Sequence, residues 1–332
     1  MGMNNNSTAK TIADRRNDRP YTVTALGEIL IDFAPAGKDA AGDRIFARKA
    51  GGAPVNLLAT VAKAGFKTAF IGKVGNDMFG RFLRETLCAS GISDRGLCVD
   101  NEHNTTLAFV ELNENGDRDF SFCRRYGADV FLQKSDIDEN LIKNTALIHF
   151  GSLSLTAEPA RSATEYALRL AKDAGCVITY DPNYRAPLWS DADTAVRMMK
   201  KHLDKVDILK ISGDELAMLF GEDKTRAVRE IKAYGVRIIL VTNGKDGAEL
   251  YMDDVCVSLP AEPVKTVDTT GAGDIFFGTF LREWIKHGST PDNITPEQAT
   301  AYLKKAIHIA GISTGRYGAI ASIPEEERNE IL

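Results

Sequence analysis

The segment VDTTGAGDIFFGTF (267–280) combines a glycine-rich turn with a single acid and a following apolar run. Gly271 and Gly273 allow positive φ angles, so successive backbone N–H groups can point into one concavity. A helix that begins after this turn would place its positive end behind that concavity. Such donors stabilise the charge on the oxygens of a transferred phosphoryl group. The segment therefore indicates an anion site that needs no lysine.

Asp274 directly follows these glycines, and a carboxylate in this place can accept the proton of an attacking hydroxyl group. We expect it to stay ionised, because the positive end of a helix favours a negative charge. The alternative is that Asp274 only caps the helix, since aspartate is a preferred cap. The chain contains no GxxxxGK[ST] motif, and the glycines of 271–278 do not fit GxGxxG, so a P-loop is not expected.

The elements that must hold this turn follow from the apolar patterns of the chain. Buried strand patterns alternate with amphipathic helix patterns, most clearly after residue 145, in TALIHFGS, CVITYDPN, DILKIS and IILVTNG. Repeated strand–helix units predict a parallel sheet with helices on both faces. Earlier in the chain, the patterns predict a first strand over 21–35 that ends at Asp32, a helix over 54–66, a strand over 67–75, a helix over 76–91 capped by Asn76, and a helix over 275–288 after the glycine turn.

Two segments, 33–50 and 98–124, lack helical periodicity. The second contains two alternating strand patterns around Asn115-Gly116, which is a strong hairpin signal. We interpret both segments as a small β-layer that closes over a ligand or pairs with another chain through its edges. The expected organisation is a disordered tail over 1–20 and one domain over 21–332.

Polar residues follow several of the predicted strands. In open parallel sheets, ligands bind beyond the carboxyl ends of the strands. Each such residue alone could merely end a strand or cap a helix. Their convergence favours a binding site that includes Asp32, Asp181 to Asn183, Ser212 to Glu215 and Thr242 to Gly244.

The composition excludes several classes of protein. The formal net charge of −5 gives no long-range attraction to nucleic acid or to an anionic membrane. The five cysteines are scattered and lack CxxC spacing, which favours a reduced protein over a disulfide scaffold or a zinc site. Residues 1–20 have no apolar h-region, and no apolar run approaches the length of a membrane span. We expect a soluble cytoplasmic protein.

Two distant motifs resemble the signatures of the ribokinase-like (PfkB) carbohydrate kinases. DTTGAGD (268–274) is similar to the C-terminal signature, and GGAPVNLLATVAKAG (51–65), followed by GNDMFG (75–80), is similar to the N-terminal one. The resemblance extends over 21–324. It implies an α/β fold of three α/β/α layers with a central, mostly parallel sheet and a small β-sheet lid. The implied activity is ATP-dependent phosphorylation of an alcohol group on a small sugar.

The resemblance also implies roles for single residues. Asp274 matches the catalytic base of the family, and the backbone of Gly271, Ala272 and Gly273 matches its anion hole. The positions that hold sugar hydroxyls are matched by Asp32, Gly51, Gly52 and Asn56. For Asn56 the alternative is an N-cap of the helix that follows the two glycines.

VTNGKDGAELY (241–251) resembles the nucleotide segment of the family, although a ligand-free glycine turn is the alternative. ISGDELAMLFG (211–221) resembles its Asn-x-x-Glu element, in which the glutamate helps to arrange Mg²⁺; here Glu215 is kept and Ser212 replaces the asparagine. For Ala306 and His308 the alternative is a place in a helical core. The implied nucleotide-side residues are Lys210, Ser212, Glu215, Thr242, Gly244, Gly247, Ala306 and His308.

STGRYGAIASIP (313–324) resembles a loop that binds a potassium-like cation beside the anion hole in many members of the family, though not in all. The implied cation-site residues are Asp268, Thr270, Ser313, Arg316 and Gly318.

Within the family, ITYDPNYRAPLW (178–189) resembles the bacterial and plant fructokinases. This places Asp181, Asn183 and Arg185 on the substrate side, together with Arg124 from GDRDFSFCR. Both arginines could reach the substrate or the phosphates as fork-shaped donors, or could form surface ion pairs.

Three functions remain open at this stage. The resemblance favours phosphorylation of fructose by ATP with Mg²⁺. A 2-keto-3-deoxygluconate kinase shares the DPN-x-R pattern and binds an acid sugar with arginines. A non-catalytic sensor of sugar or nucleotide belongs to a different class, but the intact base and glycine turn argue against it. The expected partners are the sugar, ATP and a second copy of the chain bound through the lid.

Overall fold

The computed structural model describes residues 19–112 and 118–325. The predicted tail falls almost wholly outside these residues, as does the predicted Asn115-Gly116 turn. The described strands are β1 (Tyr21–Leu26), β2 (Leu30–Lys38), β3 (Arg44–Gly51), β4 (Thr68–Gly75), β5 (Ile92–Asp100), β6 (Leu107–Leu112), β7 (Arg118–Cys123), β8 (Thr145–Gly151), β9 (Val177–Asp181), β10 (Ile208–Ser212), β11 (Ile238–Thr242), β12 (Ala248–Met252) and β13 (Val255–Leu259). The described helices are α1 (Ala53–Lys63), α2 (Met78–Ala89), α3 (Glu139–Lys143), α4 (Ala160–Asp173), α5 (Ala192–Lys200), α6 (Gly213–Phe220), α7 (Lys224–Ala233), α8 (Ala272–Lys286) and α9 (Pro296–Ser313).

The large sheet has nine described strands in the order β13-β12-β11-β10-β9-β8-β1-β4-β5. In this spatial order, each strand from β11 through β10, β9, β8, β1 and β4 to β5 runs parallel to its neighbour. Strands β12 and β13 pair antiparallel at one edge. The carboxyl ends of the parallel strands therefore meet at one edge, where β9, β10 and β11 present their polar residues. This arrangement confirms the predicted fold class.

The strands divide their side chains between two apolar cores. On β11, Ile238 packs in one core and Ile239 in the other, because successive side chains of a strand point to opposite faces. The first core contains residues of α1, α2, α8 and α9, and the second contains residues of α3 to α7. Helices thus cover both faces of the large sheet, as the continuous apolar strands predict.

The small sheet has the strand order β3-β2-β6-β7. The prediction of a single strand over 21–35 is wrong, because the chain leaves the large sheet after Leu26 and enters the small sheet at Leu30. At the bend, a Cβ atom on Gly27 would lie 2.8 Å from the Cγ atom of Pro54, so only glycine fits. Asp32 consequently lies in the small sheet and not at a carboxyl end of the large one. In the segment 98–124, residues 98–100 belong to β5 of the large sheet.

Two predicted helix starts also need correction. Asp77, not Asn76, caps α2, since its side chain accepts hydrogen bonds from the backbone N–H groups of Phe79 and Gly80. Helix α8 begins at Ala272, three residues before the predicted start, so that the second glycine and the acid of the turn lie inside its first turn. None of the helices in residues 19–112 and 118–325 combines the length and the apolar character that crossing a membrane requires.

Candidate active site

Asp274 is the third residue of α8 and is 9% exposed. The N-cap position of this helix belongs to Gly271, with a left-handed φ of 75°, and no side chain caps the helix. The capping alternative for Asp274 is therefore wrong. Its carboxylate instead accepts a hydrogen bond from the side chain of Asn56, with 2.8 Å between Asn56 Nδ2 and Asp274 Oδ2.

Asn56 lies within α1, whose N-cap is Gly52, so the alternative that Asn56 caps this helix is also wrong. The residue is 4% exposed. Its Nδ2 atom donates to Asp274, whereas its buried Oδ1 atom has no hydrogen-bond partner among the described residues. Burying an acceptor without a partner costs free energy, so the carbonyl oxygen of Asn56 is a candidate ligand-binding atom.

Asp181 and Lys210 form a second buried pair in the site. They come from the neighbouring parallel strands β9 and β10, are 3% and 6% exposed, and have 2.9 Å between Lys210 Nζ and Asp181 Oδ2. A Cβ atom on Gly273 would lie 3.0 Å from Lys210 Nζ, so this cation stands against the glycine turn. The turn carries no positive charge in its own sequence, yet the fold supplies one. The Oδ1 atom of Asp181 is buried without a partner among the described residues.

The surroundings raise the pKa of Asp274 to about 7. Burial is the main cause and the charge of Asp181 adds to it, whereas the hydrogen bond from Asn56 and the charge of Lys210 act in the opposite direction. The prediction that the helix end keeps this carboxyl fully ionised is therefore wrong. A helix end contributes at most about 2 kcal/mol, whereas full burial can shift a pKa by about 3–5 units.

On the side of the small sheet, Asp32 lies over the backbone of Gly51, where a Cβ atom would lie 2.0 Å from Asp32 Oδ2. The next residue, Gly52, has a φ of 119°, and a Cβ atom there would lie 2.5 Å from the carbonyl oxygen of Glu28. Both positions thus require glycine. The two glycines directly precede α1, which carries Asn56. Asp32 therefore lies against the first glycine, and Asn56, four residues after the second, contacts Asp274.

The loop after β9 carries Asn183, whose φ is 47°, and the half-buried Arg185. Burial raises the pKa values of Asp181 and Asp274 overall, and the charge of Arg185 acts in the opposite direction on both. Glu215 holds this loop, because its Oε1 atom accepts the backbone N–H of Tyr184 at 2.7 Å.

Ser212 and Glu215 together form the N-terminal capping box of α6. The Ser212 hydroxyl accepts from Glu215 N, and Glu215 Oε2 accepts from Ser212 N at 2.9 Å. Serine therefore serves here as the helix cap at the position where the resemblance expects asparagine.

Arg124 is 5% exposed, so its surface ion-pair alternative is wrong. Its Nε atom lies 2.7 Å from Asp129 Oδ2, its Nη1 donates to Thr156 Oγ1, and its Nη2 donates to the carbonyl oxygen of Leu153. All three nitrogens of this guanidinium are therefore bonded within the protein.

The turn predicted to bind the nucleotide begins at Thr242, which pairs in register with Ser212 of the neighbouring strand. Gly244 and Gly247 have positive φ values of 55° and 101°. The turn closes with a hydrogen bond of 2.8 Å from Asn243 N to the carbonyl oxygen of Gly247. The structure thus brings this turn beside the Ser212–Glu215 element.

The two α9 residues differ in their surroundings. Ala306 is fully buried in the first core, as the core alternative predicts. The core alternative is wrong for His308, whose side chain is 45% exposed and whose Nδ1 atom lies 2.7 Å from Glu262 Oε2.

The loop at 267–270 and the chain after α9 meet beside Gly271. Asp268 Oδ2 accepts the backbone N–H of Gly318 at 2.9 Å, and Asp268 Oδ1 accepts that of Thr270 at 2.7 Å. The carbonyl oxygen of Ser313 accepts from Arg316 N at 3.1 Å. All five predicted cation-site residues are therefore held in two connected segments. Over residues 19–112 and 118–325, no group of three or more His, Cys, Asp or Glu side chains could itself hold a metal ion.

His149 escaped the sequence reasoning, because a single histidine within a strand has no informative spacing. It is buried on β8, with its ring centroid 5.6 Å from that of Phe277 in α8. Burial lowers the pKa of His149 to about 3, and the charge of Lys210 contributes. His149 is therefore neutral, and it packs against α8, the helix that carries Asp274.

Comparisons with known proteins identify a family for this chain. The pfkB family carbohydrate kinases match residues 22–326 of the chain. The chain is 38% identical over 310 residues to probable fructokinase-5 of Arabidopsis thaliana, covering 91% of this chain and 94% of that protein.

Two solved structures share the fold over 92% of this chain and 96% of their own. A fructokinase double mutant from Vibrio cholerae O395, in its fructose-, ADP- and potassium-bound form, has a TM-score of 0.82 at 29% identity. A putative ribokinase II from E. coli, in complex with ATP and Mg²⁺, has a TM-score of 0.81 at 28% identity. With a family match over nearly the whole described length, and with an acid, a glycine turn and a lysine meeting at one sheet edge, the chain belongs to the pfkB family of carbohydrate kinases and is a phosphotransferase.

Proposed function

We propose that this chain is a fructokinase that converts ATP and D-fructose into ADP and D-fructose 6-phosphate. The observation that carries the proposal is the buried Asn56–Asp274 pair beside Lys210 and the glycine turn. Relatives named fructokinases match this chain over almost their whole length, which supports the choice of sugar.

Asp32, the backbone of Gly51 and Gly52, Asn56 and the β9 loop bind the sugar hydroxyls. The Oδ1 atoms of Asn56 and Asp181 are buried acceptors without partners among the described residues. Hydroxyl groups are donors that satisfy such acceptors, and a sugar offers several of them. Asn183 and Arg185, both half-buried in the loop after β9, are assigned to the same sugar.

Asp274 acts as the general base. Asn56 holds its Oδ2 atom, and we assign Oδ1 to the 6-hydroxyl group of the sugar. As the hydroxyl oxygen attacks the γ-phosphorus, its proton passes to Asp274 and the bond to the ADP oxygen breaks. A pKa of about 7 suits this role, because a general base works best when its pKa is near the working pH.

The transferred phosphoryl group lies at the N-terminus of α8. The backbone N–H groups of Gly271 and Gly273 and the ammonium group of Lys210 oppose its negative charge. Ala272 N already donates to the carbonyl oxygen of Thr269 at 3.2 Å, so it contributes only if this bond is exchanged. Lys210 therefore supplies the positive charge that the glycine turn lacks.

ATP lies along the nucleotide-side turn of Thr242, Gly244 and Gly247, with His308 towards its base, whereas Ala306 stays within the first core. Mg²⁺ enters with ATP as part of the substrate, as the ATP and Mg²⁺ complex of the E. coli neighbour supports. Both carboxylate oxygens of Glu215 already accept backbone N–H groups, from Tyr184 and Ser212. We therefore assign Glu215 and Ser212 to water-mediated contact with this ion.

A potassium ion fits beside the anion site. The residues assigned to it are Asp268, Thr270, Ser313, Arg316 and Gly318, mostly through carbonyl oxygens. The Asp268–Gly318 hydrogen bond and the potassium-bound form of the Vibrio cholerae neighbour support the assignment. The ion would strengthen the positive field around the turn.

The internal partners of Arg124 bear on the choice between fructose and an acid sugar. A 2-keto-3-deoxygluconate kinase would use arginines for the substrate carboxylate, but the nitrogens of Arg124 are bonded to Asp129, Thr156 and Leu153. Arg185 then remains as the single arginine of the predicted pair that is half-exposed at the site. This favours a neutral sugar.

An ADP-release assay tests the proposal. It compares fructose, glucose, ribose, adenosine and 2-keto-3-deoxygluconate at saturating MgATP, in K⁺ and in Na⁺. We expect turnover to be highest with fructose and to increase in K⁺. Turnover with the keto-acid alone would overturn the choice of sugar. Equal rates in K⁺ and in Na⁺ would contradict the proposed potassium site.

We also propose that residues 21–332 form one catalytic domain whose lid is the small sheet. Its outer strands β3 and β7 each lack a second neighbour within the described sheet, so the lid can pair with a second copy of the chain. Light scattering at several concentrations would show the dimer. All five cysteines are free thiols, which fits the reducing cytoplasm.

A further inference from the structure

The chain passes between the large sheet and the small sheet four times among the described residues. The connecting segments are residues 27–29 before β2, residue 52 after β3, residues 101–106 before β6 and residues 124–127 after β7. Every movement of the small sheet relative to the large one must take place at these four connections. Buried polar side chains join them in pairs.

Asp129 joins the third and fourth connections. Its Oδ1 atom accepts a short hydrogen bond from Thr106, which immediately precedes β6, and its Oδ2 atom lies 2.7 Å from Nε of Arg124, which immediately follows β7. Asp129 is 5% exposed. A Cβ atom on Gly127 would lie 1.8 Å from Thr106 Oγ1, so the two connections are packed without spare room. The start of β6 and the end of β7, which lie side by side in this antiparallel pair, are thereby fixed to one carboxylate.

Glu28 joins the first and second connections. Its Oε1 atom accepts the backbone N–H of Ala53 at 3.1 Å, and it is 4% exposed. Its own carbonyl oxygen faces Gly52, where a Cβ atom would lie 2.5 Å away. Glu28 therefore fixes the place where β3 ends and α1 begins, which is the backbone assigned to the sugar.

Arg124 attaches this arrangement to the large sheet. Its Nη2 atom donates to the carbonyl oxygen of Leu153 at 2.9 Å, and its Nη1 atom donates to Thr156 at 2.8 Å. Leu153 and Thr156 follow the carboxyl end of β8. The segment that follows β8 of the large sheet thus holds the chain where it leaves the small sheet.

The two halves of the arrangement are also electrostatically linked. Burial raises the pKa of Glu28 to about 7, and the charges of Arg124 and Asp129 act on it in opposite directions. A backbone contact also connects the two halves, because Ile31 N in β2 donates to the carbonyl oxygen of Thr106 at 3.0 Å. We call Glu28, Thr106, Arg124 and Asp129 the hinge cluster.

We propose that the hinge cluster positions the small sheet over the sugar, so that Glu28, Arg124 and Asp129 set the affinity for the sugar without touching it. Each member acts through other residues: Arg124 and Asp129 through the ends of β6 and β7, and Glu28 through Gly52 and α1. They are positioning residues. The link to sugar affinity rests on the proposed function, which places the sugar under the small sheet; the mechanical role of the cluster does not.

The first test is Asp129→Asn, which keeps the shape and removes the charge. Hydrogen exchange of the unliganded protein should become about fivefold faster or more in β2, β3, β6 and β7, with β8 to β11 unchanged. The KM for the sugar should rise about tenfold, with less than about a twofold change in the KM for ATP. Faster exchange in both sheets alike, or equal changes in the two KM values, would overturn the proposal.

Asp207→Asn is the matched control. Asp207 is a buried carboxylate before β10 that accepts from Ile178 N at 2.8 Å and pairs with Arg237 at 2.7 Å, at the opposite end of the strands from the site. The Asp207→Asn variant should lower the melting temperature without a selective change in the hydrogen exchange of the small sheet or in the KM for the sugar. The same selective change in this variant would overturn the proposal.

A second pair of variants tests the positioning role of the hinge cluster if Asp129→Asn does not fold. Glu28→Gln keeps an acceptor for Ala53 N and should behave as the wild type, whereas Glu28→Ala should show the selective exchange and the KM increase. Equal behaviour of the two would contradict a positioning role. Because exchange is measured without ligands, it tests the hinge cluster even if the sugar panel rejects fructose.

Discussion

Around Asp274 the site is buried and charged, whereas around Gly244 it is open and consists mainly of backbone. Asp181 and Lys210 are 3% and 6% exposed, but the side chain of His308, which we assign to the nucleotide, is 45% exposed. Burial is the main cause of the raised pKa of Asp274, and the charge of Asp181 adds to it because charges removed from water act strongly on one another. Backbone turns bind phosphate and ribose groups without such coupling.

The contrast teaches that the two regions should respond differently to substitution. Changes in the buried region should alter the rate of the chemical step and its pH dependence. Changes in the open region should alter only the affinity for ATP. Four predictions test this separation, beginning with the one that has the largest effect.

Asp274→Asn should reduce kcat by about 10³-fold or more, because the attacking hydroxyl loses its proton acceptor. Calorimetric binding of fructose and ATP should change by less than about threefold, since the amide keeps the size of the carboxyl. Asp204→Asn, at a carboxylate that is 58% exposed and remote from the site, is the matched control and should keep full activity. Turnover of Asp274→Asn near that of the control would disprove the base assignment.

Lys210→Met should lower kcat by about 10²-fold through the loss of the cation beside Gly273. It should also lower the free energy of unfolding by about 3 kcal/mol, because Asp181 would remain buried without its partner. Urea denaturation measures this loss. The double variant with Asp181→Asn should recover part of the stability but not the activity, and full recovery of activity would contradict the assigned role of Lys210.

The pH dependence should report the state of Asp274. A base must be deprotonated to act, so kcat/KM should rise with pH to a plateau, with a midpoint near 7 set by the raised pKa. The hydrogen bond from Asn56 lowers this pKa, so Asn56→Ala should move the midpoint upward by about one pH unit, as the loss of about 1.5 kcal/mol implies. A midpoint that stays in place would show that another group controls the profile.

His308→Ala should have the smallest effect, a change of less than about threefold in the KM for ATP, because the imidazole is exposed and bonded to Glu262. Neither kcat nor the midpoint of the pH profile should change. A large fall in kcat would mean that the open region also takes part in the chemical step, and the contrast between the two regions would fail.

Much of the site was predictable because its motifs are local. The two glycines before α1 and the residues after β9 and β10 lie where strand ends and helix starts were expected, and the turn at Gly271 to Asp274 lies at a helix start that comes three residues earlier than predicted. The wrong expectations concern positions that depend on distant neighbours. The chain bends from β1 into a second sheet at Gly27. The sequence on both sides of this glycine is apolar, so its pattern predicts one continuous strand.

The surroundings of single side chains were not predictable from local patterns. An arginine has the same appearance in a sequence whether its nitrogens face a substrate or, as in Arg124, an internal carboxylate and two loop oxygens. In the same way, the ionisation of Asp274 depends on its burial, which no helix-end argument contains.

The sequence by itself determined the alternation of strands and helices, the glycine turn with its acid, and the family to which they belong, because these depend on backbone preferences and on residues close in the chain. Only the tertiary structure decided that Lys210 stands against Gly273 and that the carboxyl of Asp274 is held by Asn56 with a pKa of about 7. The physical reason is that burial and electrostatic coupling depend on distances between side chains from α1, β9, β10 and α8, and the packing of the layers sets those distances.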